Sequence, residues 1–549
     1  MNAPSTRNAA AIDKFDYVIV GAGSSGCVLA SELSKDANCR VLLLEAGPPD
    51  TSPLIHMPRG IGKLLTPPNP NIWHYSASQG AGRPKEDWVK GRTLGGSSSV
   101  NGMVYMRGLP SEYDDWAAAG CDGWGWQDIG RCYKAMEDHE LGEAEWRGSG
   151  GPLKISMQPK DHPMYLAILA AAEQAGLPNV PDVNAALQGG IGYQPRTIHN
   201  GRRWSAAKAF LEPARKRPNL TVRTGVEVQR VVFEGTRAAG VELRDATGAL
   251  SVVRAQREVI LSAGAIHSPK LLQLSGIGPA ALLQGLGLPV LVDAPDVGQH
   301  LLEHRCLLMQ VRIHEGSLNQ EFGGWRLGKN MLRYLLNHSG PMTQAAHELC
   351  ALVKTRPELA RPDGELGIGL YSIQVDAKGN IGIDDQPGMT WVGYFTTPDS
   401  CGSVQITSPD AAAAPAIDAN YLSTARDRRH SVDLVHTMRR ILGQPALAKH
   451  IVGETIPGPA CTSDDEIIDA YLRHGSTAYH VAGTCRMGAD ARSVVDTRLR
   501  VRGVQGLRVM DTSVMPTLIS GNTNGPAMAM ALRASEFIRA DAKLATANA

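Results

Sequence analysis

The stretch Asp16-Tyr17-Val18-Ile19-Val20-Gly21-Ala22-Gly23-Ser24-Ser25-Gly26 decides how the chain is read. A short β-branched apolar run ends in G-x-G-x-x-G, and residues 27–34 continue with helix-compatible spacing. A second apolar run, Arg40-Val41-Leu42-Leu43-Leu44, closes on Glu45. Strand, tight turn, helix, strand and acid in that order make a dinucleotide-binding βαβ unit. Gly21 permits the turn, Gly23 lets the backbone approach a pyrophosphate, and Gly26 lets helix and strand close on each other. The anion would lie at the helix N-terminus, where unpaired N–H groups and the helix dipole favour it. Glu45 follows Gly26 by 45 − 26 = 19 residues, the place for a carboxylate that accepts from the adenosine ribose hydroxyls. Among 59 glycines a bare G-x-G-x-x-G arises by chance, so the flanking strands, helix and acid carry the assignment. The unit by itself leaves FAD and a nicotinamide nucleotide both open.

A chain of 549 residues exceeds what one core serves, which predicts two domains. Its net charge of +1, with no run of like charge, implies neither nucleic acid nor an anionic membrane as a partner. No apolar run reaches transmembrane length. Residues 1–14 are polar and alanine-rich, lack the apolar core of a secretory signal, and read as a disordered lead-in. Nine cysteines are scattered and never in C-x-x-C spacing. That argues against a disulfide framework or a structural zinc site and fits a reducing cytoplasm. All nine read as buried, inert thiols.

Residues 48–70 are proline-rich and read as a surface excursion. Next, Gly91-Arg92-Thr93-Leu94-Gly95-Gly96-Ser97-Ser98-Ser99-Val100-Asn101-Gly102-Met103-Val104 offers many backbone and hydroxyl donors at close range, suited to a polar cofactor ring or phosphate. Strands are predicted at 220–223, 226–232 and 257–262. The last runs into Ala263-Gly264-Ala265 and a helix that closes on Ser275-Gly276-Ile277-Gly278, a second strand, turn and helix.

Segments 91–114 and 264–278 resemble the two signature patterns of the glucose–methanol–choline (GMC) flavin oxidoreductases. His480-Val481-Ala482-Gly483-Thr484 resembles that family's catalytic-histidine motif. Segments 509–516 and 520–526 resemble its closing flavin contacts. The resemblance runs from residue 16 to about 540 and is weakest over 310–395. It implies an α/β fold with a discontinuous Rossmann-like FAD domain (12–155, 200–305 and 476–540). A substrate domain built on an antiparallel sheet with flanking helices would use 156–199 and 306–475, with flexible tails at 1–11 and 541–549. Residues 391–395 and 402–406 read as strands of that second sheet.

The resemblance also implies FAD contacts at Gly21, Gly23, Ser24, Ser25, Gly26, Glu45, Ala46, Arg92, Gly95, Gly96, Ser98, Asn101, Gly102, Met103, Val104, Val228, Ala263, Gly264, Asp511, Thr523 and Asn524. His480 takes the place of the catalytic base and Asn522 that of its partner, with Asn524 as the near competitor. Should His480 not serve, His474 and His304 come next. A histidine suits the base because its ordinary pKa of about 6.5 lies near working pH. An amide donor steadies the developing alkoxide without titrating. A helix starting near Pro526 would turn its positive end to the reduced flavin.

The implied function is FAD-dependent oxidation of an alcohol to an aldehyde, with oxygen or a quinone-like carrier as electron acceptor. The look is closest to choline-dehydrogenase-like and hydroxymethylfurfural- or aryl-alcohol-type members. An aromatic content of 5% offers no sign of a quaternary-ammonium cage, which favours a neutral primary alcohol. The alternative is a hydroxynitrile-lyase-like protein that keeps FAD without net redox. A light-driven decarboxylase is disfavoured, because that branch lacks the histidine found at His480. Family members with a histidyl-linked flavin carry the linking residue just before the asparagine of the serine-rich loop, where this chain has Val100. Val100 has no nucleophilic atom, so the flavin is predicted to be held non-covalently. Acid precipitation should release yellow FAD into the supernatant; colour retained in the pellet would contradict this.

Overall fold

The computed structural model describes residues 14–160, 162–375 and 381–547. The expected lead-in therefore lies outside the described residues except for Lys14. β1 (Lys14–Val20), α1 (Ser24–Leu33) and β2 (Val41–Glu45) form in the predicted order. Val20 is in parallel register with Leu44 of β2 and with Leu261 of the long strand Leu250–Leu261. Every residue of β2 is buried. A parallel sheet covered on both faces calls for such a continuous apolar run instead of alternation. Leu220–Thr224 adds in parallel beyond β2, and Leu507–Val509 adds in parallel to Leu250–Leu261. Glu227–Glu234 and Arg237–Arg244 complete the seven strands in antiparallel fashion.

α1 is buried nearly all round because it is clasped between this sheet and the C-terminal helix Asn524–Ala547. Burial of Val28, Leu29 and Leu33 contributes about 1.5–3 kcal/mol each. The Ser25 hydroxyl donates to the Ala527 carbonyl at 3.2 Å, across the helix pair. That C-terminal helix continues to Ala547, so the flexible tail expected from residue 541 is not seen through that point.

The second seven-stranded sheet is antiparallel throughout. Its order is Ile451–Ile456, Arg305–Ile313, Gly388–Phe395, Gly364–Gly369, Leu349–Val353 and Gly190–Tyr193, with Gly475–Thr477 also paired to Arg305–Ile313. The helix Ala425–Leu442 packs Val435 and Met438 against Trp391 and Leu366 of this sheet.

The predicted strand at 391–395 lies within Gly388–Phe395. The one at 402–406 forms as Ser403–Gln405 but belongs elsewhere. It pairs with Ala416–Asp418 in a separate four-stranded sheet with Ile72–Ser78 and Lys85–Gly91. The proline-rich stretch is not all loop: prolines at first-turn positions start short helices at Pro53–His56 and Pro58–Gly60. All nine cysteines are unbridged, but Cys401 is exposed and Cys461 half-buried, which corrects the expectation that all are buried. No helix among the described residues is long and apolar enough to cross a membrane.

The closure of α1 onto β1 depends on missing Cβ atoms. A Cβ on Gly26 would stand 1.9 Å from the Gly21 carbonyl oxygen, which is backbone and cannot swing away. A Cβ on Gly23 would meet nothing closer than the Ser262 carbonyl oxygen at 4.0 Å. Gly26→Ala should therefore cost about 1–3 kcal/mol through overpacking. Gly23→Ala should leave stability near the parent value. Thermal unfolding of the two variants side by side, followed by circular dichroism, checks the contrast; an unchanged midpoint for Gly26→Ala would refute it.

Candidate active site

The ends of the first sheet and the face of the second enclose a cavity of about 470 Å³. Most of the expected site residues stand in its wall: Gly21, Gly23, Ser24, Ser25, Glu45, Ala46, Gly96, Asn101, Gly102, Met103, Val104, Val228, Ala263, Gly264, His480, Asp511, Asn522, Thr523 and Asn524. Four stand behind it. Gly26 is spent on the contact with Gly21. Gly95 adopts φ +85° to turn the chain into the serine-rich loop. The Ser98 hydroxyl is used internally, donating to Gly95 O at 2.6 Å and accepting from Ala206 N at 2.9 Å. Arg92 lays its guanidinium over the Trp73 ring, 4.7 Å from its centroid. It is Trp73, packed edge-on against His267, that reaches the cavity.

At one end the site is made by helix termini. No side chain caps α1, so its first-turn N–H groups remain available to an anion. The Ser24 hydroxyl donates to Asn524 Oδ1 at 2.7 Å, which ties the N-terminus of α1 to that of Asn524–Ala547. The Glu45 carboxylate accepts from Ala22 N and Gly47 N, both at 2.9 Å. Burial pushes its pKa up to about 7 against the pull of those donors. Buried Arg203 holds the serine-rich loop from behind, donating to Ser98 O, Asn101 O and Asn101 Oδ1. An uncapped helix start, a glycine turn and a carboxylate at the strand end suit the pyrophosphate and ribose of FAD, and the cavity runs on from them to His480.

At the other end two histidines and an amide form a chain. His304 Nε2 lies 2.6 Å from the Thr396 carbonyl oxygen, His304 Nδ1 lies 2.9 Å from His480 Nδ1, and His480 Nε2 lies 2.9 Å from Asn522 Nδ2. Partner chemistry assigns the protons. A carbonyl only accepts, so His304 carries its hydrogen on Nε2. Burial lowers the His304 pKa to about 4, so its ring is neutral and Nδ1 is bare. His480 must then donate from Nδ1, which leaves Nε2 with a free lone pair facing the amide donor of Asn522. Burial also holds His480 well below the ordinary histidine pKa, with positive charge on His304 or Lys90 opposing its protonation further. Tyr394 stacks on His304 with ring centroids 4.6 Å apart and meets His480 edge-on.

The surrounding chain fixes these three side chains. Glu303 Oε1 accepts from the backbone N–H of both His304 and His480, at 2.9 and 2.8 Å. Thr477 donates to its other oxygen at 3.0 Å. Tyr479, just before His480, takes φ +63°, an uncommon conformation for a bulky residue that the neighbouring bonds enforce. Thr512 Oγ1 donates to Val481 O, and Asp511 accepts from Gly264 N, Ser268 Oγ and Ser513 N. Asn522 is set by Glu112, whose buried carboxylate accepts from Ser520 N and Ser520 Oγ at 2.8 and 2.6 Å.

Asn524 Oδ1 accepts from the Ser24 hydroxyl, whereas Asn522 is the asparagine that faces His480. The sequence reading kept His304 only as a substitute base, whereas the structure places it behind His480. Glu303 was not singled out at all, because nothing in the local spacing of Glu303-His304 points 177 residues ahead to His480.

Models of two GMC oxidoreductase regions match residues 15–306 and 398–531. The chain is 38% identical to the oxygen-dependent choline dehydrogenase of Brucella canis over 540 residues, covering 97% of both chains. It is 37% identical to an alcohol dehydrogenase [acceptor] of Pseudomonas putida, again over 97% of both. Among solved structures, pyridoxine 4-oxidase from Mesorbium loti superposes with a TM-score of 0.85 at 32% identity, over 95% of this chain and 98% of that one. The chain belongs to the GMC oxidoreductase family, FAD-dependent enzymes that oxidise CH–OH groups.

Proposed function

We propose that the enzyme oxidises a neutral primary alcohol to the aldehyde, with His480 as general base and Asn522 as the donor to the reacting oxygen. The observation that carries this is the bare His480 Nε2 facing the Asn522 amide. A hydroxyl at that place replaces the direct contact between the two side chains. Its hydrogen points to His480 Nε2, and its oxygen accepts from Asn522 Nδ2. As the carbon is oxidised, the proton passes to Nε2, while the amide hydrogen bond steadies the charge that gathers on oxygen. FAD, when bound, supplies the two-electron oxidant. Its adenosine ribose falls to Glu45 and its pyrophosphate to the start of α1, and Val100, in the cavity wall, supports non-covalent binding because it has no nucleophile.

The wall chemistry favours a neutral substrate. The carboxylates that line the cavity are Glu45, Glu227 and Asp511. Glu45 and Asp511 are turned onto backbone N–H groups, and Glu227 lies in the first sheet. Tyr394 packs edge-on against His480 and Lys90 acts on it, while Leu308 and Val392 line the same cavity. A quaternary ammonium would meet a lysine there instead of an anion. We further propose a reducing, cytoplasmic setting, supported by nine unbridged thiols, and oxygen or a quinone-like carrier as acceptor.

Anaerobic stopped-flow reduction of the flavin isolates the chemical step. His480→Ala should keep its FAD and slow reduction by about 10²–10⁴-fold. Asn522→Ala should slow it by about 10²–10³-fold through loss of the donor. A parental rate in His480→Ala would remove the base assignment, and faster reduction by choline than by neutral primary alcohols would remove the substrate class.

His304 is a positioning residue, and it makes a separate prediction. His304→Ala leaves His480 Nδ1 without its acceptor, so the tautomer with the lone pair on Nε2 is no longer enforced. The limiting reduction rate should fall by about 10–100-fold, as for loss of other outer-shell partners of an imidazole, while KM stays near the parent value. A large rise in KM at an unchanged limiting rate would show that His304 serves substrate binding instead.

A further inference from the structure

The helix Gly324–Asn337 carries one broad apolar face, of which only part is covered. On the covered part, Leu327, Met331 and Tyr334 pack with Met57, Phe322 and Met342. On the adjoining part, Trp325, Leu332, Leu335 and Leu336 are 73%, 59%, 66% and 70% exposed. At 3.6 residues per turn these four fall within an arc of about 100°. They are four of the twelve exposed large apolar side chains among the described residues, so the patch is concentrated on one helix.

Charge tells what this face suits. The helix carries Arg326, Lys329 and Arg333 and no acidic residue, a local +3 hidden inside a chain net charge of +1. Lys329 flanks the apolar arc with its ammonium 5.9 Å from the Trp325 ring centroid, and Arg333 bonds Ser339 at 3.1 Å. Neither has a carboxylate partner among the described residues. Glu321 pairs with Arg326 at 3.3 Å and accepts from Asn330. An apolar ridge of Trp and Leu rimmed by unpaired cations is the pattern of a helix that lies in a membrane interface. A second copy of the chain suits it less, because a two-fold contact would set the cationic rim against itself.

We propose that this face docks the enzyme on an anionic lipid bilayer, with Trp325, Leu332 and Leu336 in the headgroup layer and Lys329 and Arg333 on lipid phosphates. The site of catalysis is close along the chain. Met57, under the helix, precedes Ile61 by 61 − 57 = 4 residues, and Ile61 and Leu65 line the cavity. Docking would hold that wall near the lipid, where an apolar alcohol or a lipid-soluble acceptor is concentrated.

Vesicle flotation of the FAD-loaded enzyme tests this. The protein should float with vesicles of phosphatidylcholine mixed with phosphatidylglycerol, float poorly with phosphatidylcholine alone, and lose binding as salt is raised. The double variant Leu332→Asp with Leu336→Asp should keep its flavin absorbance and its activity on a water-soluble alcohol but partition at least about tenfold more weakly. A blue shift in tryptophan emission on vesicle addition should be absent in Trp325→Phe. Failure of the parent protein to float on the anionic vesicles, or equal flotation of the double variant, would overturn the proposal. So would a solution mass by light scattering that halves in the double variant, which would assign the face to a second copy of the chain.

Discussion

The contact between Gly26 and the Gly21 carbonyl is the constraint on which the rest of the structure depends. It lets α1 approach β1 more closely than any side chain would permit, and it sets the uncapped end of α1 at the mouth of the sheet. The serine-rich loop continues the same close packing, since a Cβ on Gly96 would stand 2.7 Å from the Gly23 Cα. The C-terminal helix is drawn in through Ser24 to Asn524 and Ser25 to Ala527. Three stretches far apart in sequence are thereby held together at one end of the cavity. Asn522 lies two residues before the last of them, so its position is inherited from the nucleotide turn as well as from Glu112.

The chemical end of the cavity is organised by hydrogen bonds more than by packing. Thr396 is the root of the chain, because a carbonyl oxygen has no alternative role. From that one acceptor the protonation of His304 follows, then that of His480, and then the direction in which His480 offers its lone pair. Glu303 grips the backbone of both histidines, so the two segments that carry the rings are held to one buried carboxylate. Burial raises the Glu303 pKa while attraction to Lys90 lowers it, which makes that anchor sensitive to charge at Lys90.

What was legible in the sequence divides along contact range. The βαβ unit could be read from local pattern because each of its parts is specified within a few residues of itself. His480 and Asn522 could be singled out only through resemblance, since nothing local distinguishes His480 among sixteen histidines. The bond from His304 to His480 spans 176 residues and has no spacing rule to reveal it. The strand at 403–405 shows the same division: its alternation was visible, but the sheet it joins is chosen by Ala416–Asp418. Whole-chain charge has a related limit: a sum over 549 residues averages away three cations on one helix, and only the fold shows that this helix also carries exposed apolar side chains.

The histidine chain also dictates how the proton must leave. Under the proposed base assignment, His480 Nε2 takes the substrate proton while its Nδ1 hydrogen still points at His304 Nδ1, and His304 already presents its own hydrogen to Thr396. Passing a proton along that line would leave His304 as a buried imidazolium, which its burial disfavours, and beyond it stands only a backbone carbonyl, so the chain serves as a stop and not as a relay. The proton therefore departs from the face on which it arrived, through the cavity. Lys90 and Tyr479 line that cavity, with the Lys90 ammonium 2.6 Å from the Tyr479 carbonyl oxygen. Its positive charge disfavours a lasting imidazolium and so returns His480 to its basic form. Under that assignment burial keeps the base neutral, and the carbonyl of Thr396, through His304, confines its proton traffic to one nitrogen.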